Sequence, residues 1–514
     1  MPTFTSLLPF SRLPLAALIG SAVLLGGCSI TAKPMSSAEI DSRVQADQLA
    51  MFSAQEPLSQ PISFDEALAR ALKYNLDYRL KLMESALSSG LADLSRYDML
   101  PSLLVSAGYS NRNNDSGGNS VDIDTGEVSL SNSTSEERES VQSGATFSWN
   151  LLDFGVSYYR ARQQSNQVLI AEERRQRVIQ NIQQDVRSAY WRALGAQRLA
   201  REAADLSEKV NSALARSREA ERQGLVPPKD ALSFQRMLLD AQALLATRQQ
   251  DLAYAKLELA ALMNLAPGTP FSLAESAEPA LPELPADAGQ LDEIALSHRP
   301  ELKEEDYRVR ITADEARRQL LALMPGLTLS TGANYDTNKY LYNQSWNQSG
   351  VQVGMNLLRL LSLPAMQDSQ EAQERLDQAR RLALSMAVLT QTRVAVERYR
   401  LSLDELKIAR TSSEVDQRLA DFAKASLQSR TDSELELIRA QTRALNSRYQ
   451  QYAAYASAQA AYGRVYNSLG LAVLPDQMAG TELSQLTRSV ASQLSSSEQA
   501  LASGTLPSST EKRP

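Results

Sequence analysis

The chain has 514 residues, 22% of them charged and only 6% aromatic, with a net charge of −7 and a mean hydropathy of −0.32. That acidic balance excludes nucleic acid as an electrostatic partner, and so few bulky side chains argue against one compact core. One cysteine and one histidine, His298, leave no material for zinc sites, disulfides or Cys/His catalysis; no nucleotide loop or nucleophile constellation is present, so neither an enzyme, a metal nor a cofactor is expected.

Residues 1–27 predict a processed leader. Arg12 precedes an apolar run from Leu13 to Leu25, too short for the roughly 20 residues of a membrane span. The run ends Leu25-Gly26-Gly27-Cys28, which resembles a bacterial lipobox. The resemblance implies cleavage before Cys28 and lipidation of its thiol, and Ser29 after it implies transfer to the outer membrane. A single acyl chain anchors weakly, whereas several on one cysteine would hold firmly. No other stretch is apolar enough for a transmembrane helix. The polar, proline-punctuated residues 28–60 predict an extended arm.

Residues 61–285 predict a first structural repeat. A helix runs up to Pro101, which stops it. Alternating strands follow at about 102–114 and 139–151. In the first, Leu103, Val105, Ala107 and Tyr109 share a face; in the second, Val141, Ala145, Phe147 and Trp149 oppose Gln142, Gly144, Thr146 and Ser148. A long helix is expected over 156–223, where Gly195 is the one interior glycine, and it breaks at Gly224 and Pro227-Pro228. A returning helix over 229–266 carries Leu238, Leu245, Leu252 and Leu259 at steps of seven. Ala241, Ala255 and Leu262 form part of a second seam, interrupted by Arg248. The pair therefore predicts a coiled-coil hairpin.

Residues 286–480 repeat the plan, with strands at about 327–336 and 348–357, a long helix over 365–425 and a returning helix over 433–469. YDMLPSLLVSAGYS matches LALMPGLTLSTGANY, with Pro101 facing Pro325; ALKYNLDYRL matches ALSHRPELKE; FSWNLLDFG matches VGMNLLRLL; LMNLAPG faces VYNSLGL. The offset is 224 before the hairpins and about 202 to 206 after them, so the second hairpin loop is shorter. The Ser-rich residues 481–514 predict a disordered tail.

A two-faced strand needs an apolar environment on one side. Four strands are too few for a sandwich serving 500 residues, and membrane barrels start at eight. An open edge cannot sit in lipid, so strands in a membrane must be shared between subunits. Tyr109, Phe147, Trp149 and Tyr335 are then the candidate aromatic girdle.

Together, the lipobox, the doubled helix–hairpin–helix plan, WNLLDFG opening a long helix, RQGLVPPKD at the helical turn and NLAPG closing the repeat resemble the TolC-like outer-membrane efflux channel family over about residues 61 to 475. The resemblance implies a mainly helical fold with a membrane β-barrel, in which a homotrimer forms a twelve-stranded barrel in outer-membrane lipid and a twelve-helix periplasmic tunnel. It implies a passive exit duct of a tripartite export system, joined to a periplasmic adaptor and an inner-membrane transporter driven by protons or ATP. Adaptor docking maps to Gly224, Leu225, Val226 and Asp230 at one turn and to Ser426 and Leu427 at the other. Ser426 stands where the family usually has glycine. Asp432, with Glu434 beside it, matches the pore gate, and a carboxylate ring there would favour cations; Leu435 stands where a second acid is usual. Asp432 and Asp230 equally fit helix N-terminal acids. Arg222 and Arg430 are candidate ion-pair partners at the tip. Two other classes, a lipid-anchored coiled-coil structural or adhesive protein and a periplasmic enzyme on a helical scaffold, leave four matched strands unexplained.

Overall fold

The computed structural model describes residues 33–275, 278–285, 287–429, 433–473 and 482–504. Cys28, Arg430 and Asp432 lie outside them. The chain divides into two units, Met1–Gln55 and Glu56–Pro514. In the first, helix α1 spans Ser37–Phe52 where an extended arm was expected. A capping box starts it: Ser36 Oγ accepts from the Glu39 N–H, and the Glu39 carboxylate accepts from the Ser36 N–H at 2.7 Å. The helix buries no residue, so it carries no apolar period for a sequence reading to find.

The second unit holds both repeats. Helices α2 (Phe64–Tyr74) and α3 (Leu76–Tyr97) lead into strand β1 (Ser102–Asn111). The short pair β2 (Gly117–Gly118) and β3 (Ser133–Thr134) lies in the connecting loop, and β4 (Glu139–Asn150) runs into helix α4 (Leu151–Arg222). Helix α5 (Pro228–Leu262) returns. The second repeat follows the same order: α6 (Ala288–His298), α7 (Pro300–Leu321), β5 (Gly326–Asp336), β6 (Ser345–Gly354), a 3-10 turn (Leu357–Ser362), α8 (Leu363–Gln428) and α9 (Glu434–Ser468). Helix α10 spans Leu483–Ser503. The four long strands form one antiparallel sheet in the order β1-β4-β5-β6.

The repeat extends to single residues. Asn75, between α2 and α3, and Arg299, between α6 and α7, are both extended, at ψ 128° and 124°. Asn75 Nδ2 donates to the carbonyl of Leu262 at the end of α5; Arg299 Nη1 donates to that of Ser468 at the end of α9. Each interruption is thus pinned to the end of its repeat's returning helix. Two residues on, Asn264 and Gly470 both take the left-handed conformation that ends such helices, at φ 56° and 74°. Asn150 and Asn356 open the segments after the hairpins alike, their side-chain oxygens accepting from the N–H groups of Leu152 and Leu358.

Helix α4, with 72 residues, would measure about 108 Å at 1.5 Å per residue. It packs between α5 and α9: Leu199, Leu206 and Val210 form a core with Leu238 and Leu245 of α5 and with Ile438 and Leu445 of α9. Arg248 does interrupt the second seam, stacking 4.0 Å from the Tyr449 ring. Gly195 is required by the α4–α9 contact, since a Cβ there would meet Tyr452 Cβ at 2.8 Å.

The expected disordered tail contains α10. Its Leu483, Leu486, Val490 and Leu501 are buried, spaced along one helical face that intervening serines hide in the sequence. It packs on α2, and its Glu498 meets Arg187 of α4 at 2.6 Å. The Arg187 guanidinium sits over the rings of Phe64 and Tyr462.

Candidate functional site

Pairing registers decide which side chains share a face of the sheet. Leu103 pairs with Phe147, Val105 with Ala145 and Tyr109 with Val141. Across the next seam Trp149 pairs with Leu329, Ala145 with Ala333 and Ser143 with Tyr335. Leu327 and Leu329 then pair with Val353 and Val351. Paired residues lie on one side, so the apolar sets of all four strands form one continuous face. On β6 it fades into Ser345, Asn347 and Ser349. The opposite face carries Ser106, Ser110, Thr146, Ser148, Ser330, Gln348 and Gln352 among glycines, with Leu104 and Trp346 as apolar exceptions. Its one charged residue on the strands, Asp336, accepts from Gln142 Nε2 at 3.1 Å and from the Asn338 N–H at 2.9 Å.

Aromatic residues occupy two levels of the apolar face. Tyr109 and Tyr335 lie toward the loops, Phe147 and Trp149 toward the helices. Trp149 is eight residues from Val141, the partner of Tyr109, or about 27 Å along the strand. An outer-membrane barrel carries an apolar band about 25 Å tall between two aromatic girdles. The sheet is open within one chain, with β1 and β6 as its edges. The helices joined to those edges expose apolar stripes: Leu80, Met83, Leu87, Leu94 and Tyr97 on α3, and Val394, Leu401, Ile408, Val415 and Phe422, at steps of seven, on α8.

At the other end of the long helices, Gly224 takes φ 68° and ends α4, with the Leu225 N–H donating to the Ala220 carbonyl. Leu225 is 70% exposed, and Val226 and Asp230 are exposed beside it. Asp230 sits in the first turn of α5, where it faces the positive end of the helix. At the second turn Ser426 and Leu427 are half-buried in the last turn of α8. Glu434 is the first residue of α9, behind the N-cap Ser433.

An open groove of about 380 Å³ gathers Val226, Asp230 and Glu434 from the two turns, with Ala213, Ala231 and Phe234 as its apolar part. Arg216 of α4, which sequence reasoning missed, forms an ion pair with Glu434 there and so links the two hairpins. Nothing in the spacing of α4 marks it; only the tertiary arrangement brings it to α9. Arg222 does not fill that role, because its carboxylate partner is Glu219, one turn back on its own helix.

Among the described residues no helix is long and apolar enough to cross a membrane, and no cluster of His, Cys, Asp and Glu could hold a metal ion.

Residues 68–265 match the model of the outer membrane efflux protein family. No curated protein matches the chain in sequence. Among solved structures, the outer-membrane channel OprN is 19% identical with a TM-score of 0.61, over 79% of this chain and 89% of that one. The Campylobacter jejuni CmeC outer membrane channel is 12% identical with a TM-score of 0.61, over 91% and 98%. The open-state Neisseria gonorrhoeae MtrE outer membrane channel is 16% identical with a TM-score of 0.59, over 79% and 89%. The sequence match to the outer membrane efflux protein family lies in the first repeat, over residues 68–265, and the likeness in fold to solved outer-membrane channels extends over most of the chain.

Proposed function

We propose that three copies of the chain form the outer-membrane exit duct of a tripartite export system, passively conducting solutes delivered by an inner-membrane transporter through a periplasmic adaptor. The family is one of channels rather than enzymes, and its channels form trimers that work with such partners. The observation that carries the proposal is the open four-stranded sheet with one continuous apolar face. Its unpaired edges cannot face lipid, and joining β6 of each copy to β1 of the next removes them. Three copies supply twelve strands, with Tyr109, Phe147, Trp149 and Tyr335 toward lipid and the serine-rich face toward water. The exposed stripes on α3 and α8 would meet across the same boundaries. A lipid-anchored stalk has no use for such a sheet.

In this duct the turns at Gly224, Leu225, Val226, Ser426 and Leu427 receive the adaptor. Asp432 and Glu434 gate the narrow end, with Glu434 held by Arg216 at rest. Cys28 carries the lipid anchor in the outer membrane. Both residues of the Arg216–Glu434 pair are more than half exposed, so the pair is worth at most about 1 kcal/mol, a latch that docking can release.

The test is site-specific photocrosslinking from Leu225 in living cells, with mass spectrometry of the captured proteins. An adaptor together with a proton-driven or ATP-driven pump is the expected catch. Capture of surface or envelope structural proteins alone would move the stalk ahead.

A further inference from the structure

The hairpin of each repeat is flanked by two helices, α3 and α4 in the first, α7 and α8 in the second. The first pair packs along its length; the second stands apart and leaves a cleft of about 750 Å³. Ion pairs draw α7 toward α4 instead. Asp314, fully buried, meets Arg162 of α4 at 3.3 Å, Glu304 meets Arg174 at 2.7 Å, and Glu301 meets Arg177 at 3.2 Å. Both walls of the cleft belong to one chain.

Val309, Ala313, Ala316 and Leu320 of α7 and Met366 of α8 give the cleft an apolar wall. Asp377 of α8 also lines it and is only 7% exposed. Its carboxylate accepts from Thr312 Oγ1 at 2.9 Å and Gln373 Nε2 at 2.7 Å, both neutral donors. Among the described residues no lysine or arginine forms an ion pair with it. A buried carboxylate is costly without an opposite charge. Four carboxylates line the cleft against two guanidinium groups, and one of those, on Arg310, sits over the Tyr307 ring. The volume falls in the range that takes a drug-sized molecule.

We propose that the cleft between α7 and α8 binds an amphipathic organic cation, its positive group against Asp377 and its apolar body along Ala313, Ala316 and Leu320. All the residues that would form the site come from one chain. It selects for charge and apolar surface together, since Asp377 offers nothing to a neutral molecule without a hydrogen-bond donor and the alanine wall offers nothing to a hydrated metal ion.

Rhodamine 6G, a cationic dye, and Nile red, a neutral one, are titrated by fluorescence polarisation into the full-length protein in lipid nanodiscs, with empty discs subtracted. Rhodamine 6G should bind saturably. Asp377→Asn, which keeps shape and hydrogen bonding, should weaken it roughly tenfold or more. Ala316→Trp, which fills the cleft, should abolish it. Nile red should be insensitive to Asp377→Asn. Unchanged rhodamine 6G binding in both variants, or equal losses for both dyes in Asp377→Asn, overturns the proposal. Single-channel conductance of both variants, recorded alongside, reports separately on the duct.

Discussion

Gly470 is the position where one added methyl group should cost most for its size. It ends α9 at φ 74°, and a Cβ there would lie 2.6 Å from the carbonyl carbon and oxygen of His298 and 2.7 Å from the Arg299 nitrogen. These are backbone atoms, held by Arg299's hydrogen bonds to the end of α9, so neither side can yield cheaply. In Gly470→Ala the left-handed conformation costs about 1–2 kcal/mol and the overlap about 1–3 kcal/mol more. Gly268 supplies the control: its φ is 85°, but a Cβ there meets nothing within 4 Å, so Gly268→Ala bears the conformational cost alone. For a chain of 514 residues the unfolding entropy is on the order of 1 kcal/mol per kelvin, so Tm should fall by about 2–5 °C in the first variant and about 1–2 °C in the second. Both are scanned at one fixed rate in detergent, because unfolding of so large a protein is under kinetic control. Equal shifts would refute the claim that the α6–α7 interruption is locked against the end of α9.

Glu498→Gln should release α10, because it leaves the Arg187 guanidinium, only 10% exposed, without its carboxylate; breaking a buried pair costs about 3–5 kcal/mol, and limited proteolysis between 483 and 503 should accelerate while the remainder stays resistant. Glu315 titrates at about 2, held below its ordinary 4.5 mainly by the hydrogen bonds from Arg318, with Gln163 and Gln319 adding to it. A carboxyl depressed on folding stabilises above its unfolded value and loses that stability as pH falls, here between about 4.5 and about 2. Glu315→Gln should therefore lower Tm above about pH 4.5, where the wild type gains from the ionised carboxylate, and flatten the acid dependence below it, the two profiles converging towards about pH 2; an unaltered profile contradicts the assignment. Cys28→Ala should abolish palmitate labelling in cells while detergent-extracted trimers survive unheated gel electrophoresis, since the apolar sheet, not the anchor, is expected to hold the protein in the membrane; loss of trimers in that variant contradicts this.

The strands and the long helices were readable because their signals are local. Period-two alternation marked β1, β4, β5 and β6, and steps of seven marked the seam in which Leu238, Leu245 and Leu259 are buried. Repetition carried the rest, since a weak signal at Asn75 gains weight from its counterpart at Arg299. Helices α1 and α10 escaped because neither advertises a core: α1 buries nothing, and α10 spreads four apolar residues among serines. The tip was legible as a set of turns, through Gly224 and Pro228, but its chemistry was not. Arg216 reaches Glu434 only through the packing of α4 beside α9, a relation of residues 218 apart. The cleft at Asp377 was equally invisible, because a heptad pattern states which faces are apolar and not which helices stand apart.

The hydroxyl- and amide-lined face of the sheet has an electrical consequence. In the proposed trimer this face would line the lumen with neutral dipoles except at its loop end, where each copy places the carboxylate of Asp336, so the fixed charge of the barrel stretch is confined to one ring of three carboxylates. The ion preference of such a conduit would then be set at two places, the Asp336 ring and the helical tip near Asp230, Arg216 and Glu434. A reversal potential recorded across a salt gradient would report on those two places and should be insensitive to neutral substitutions along β1 and β4.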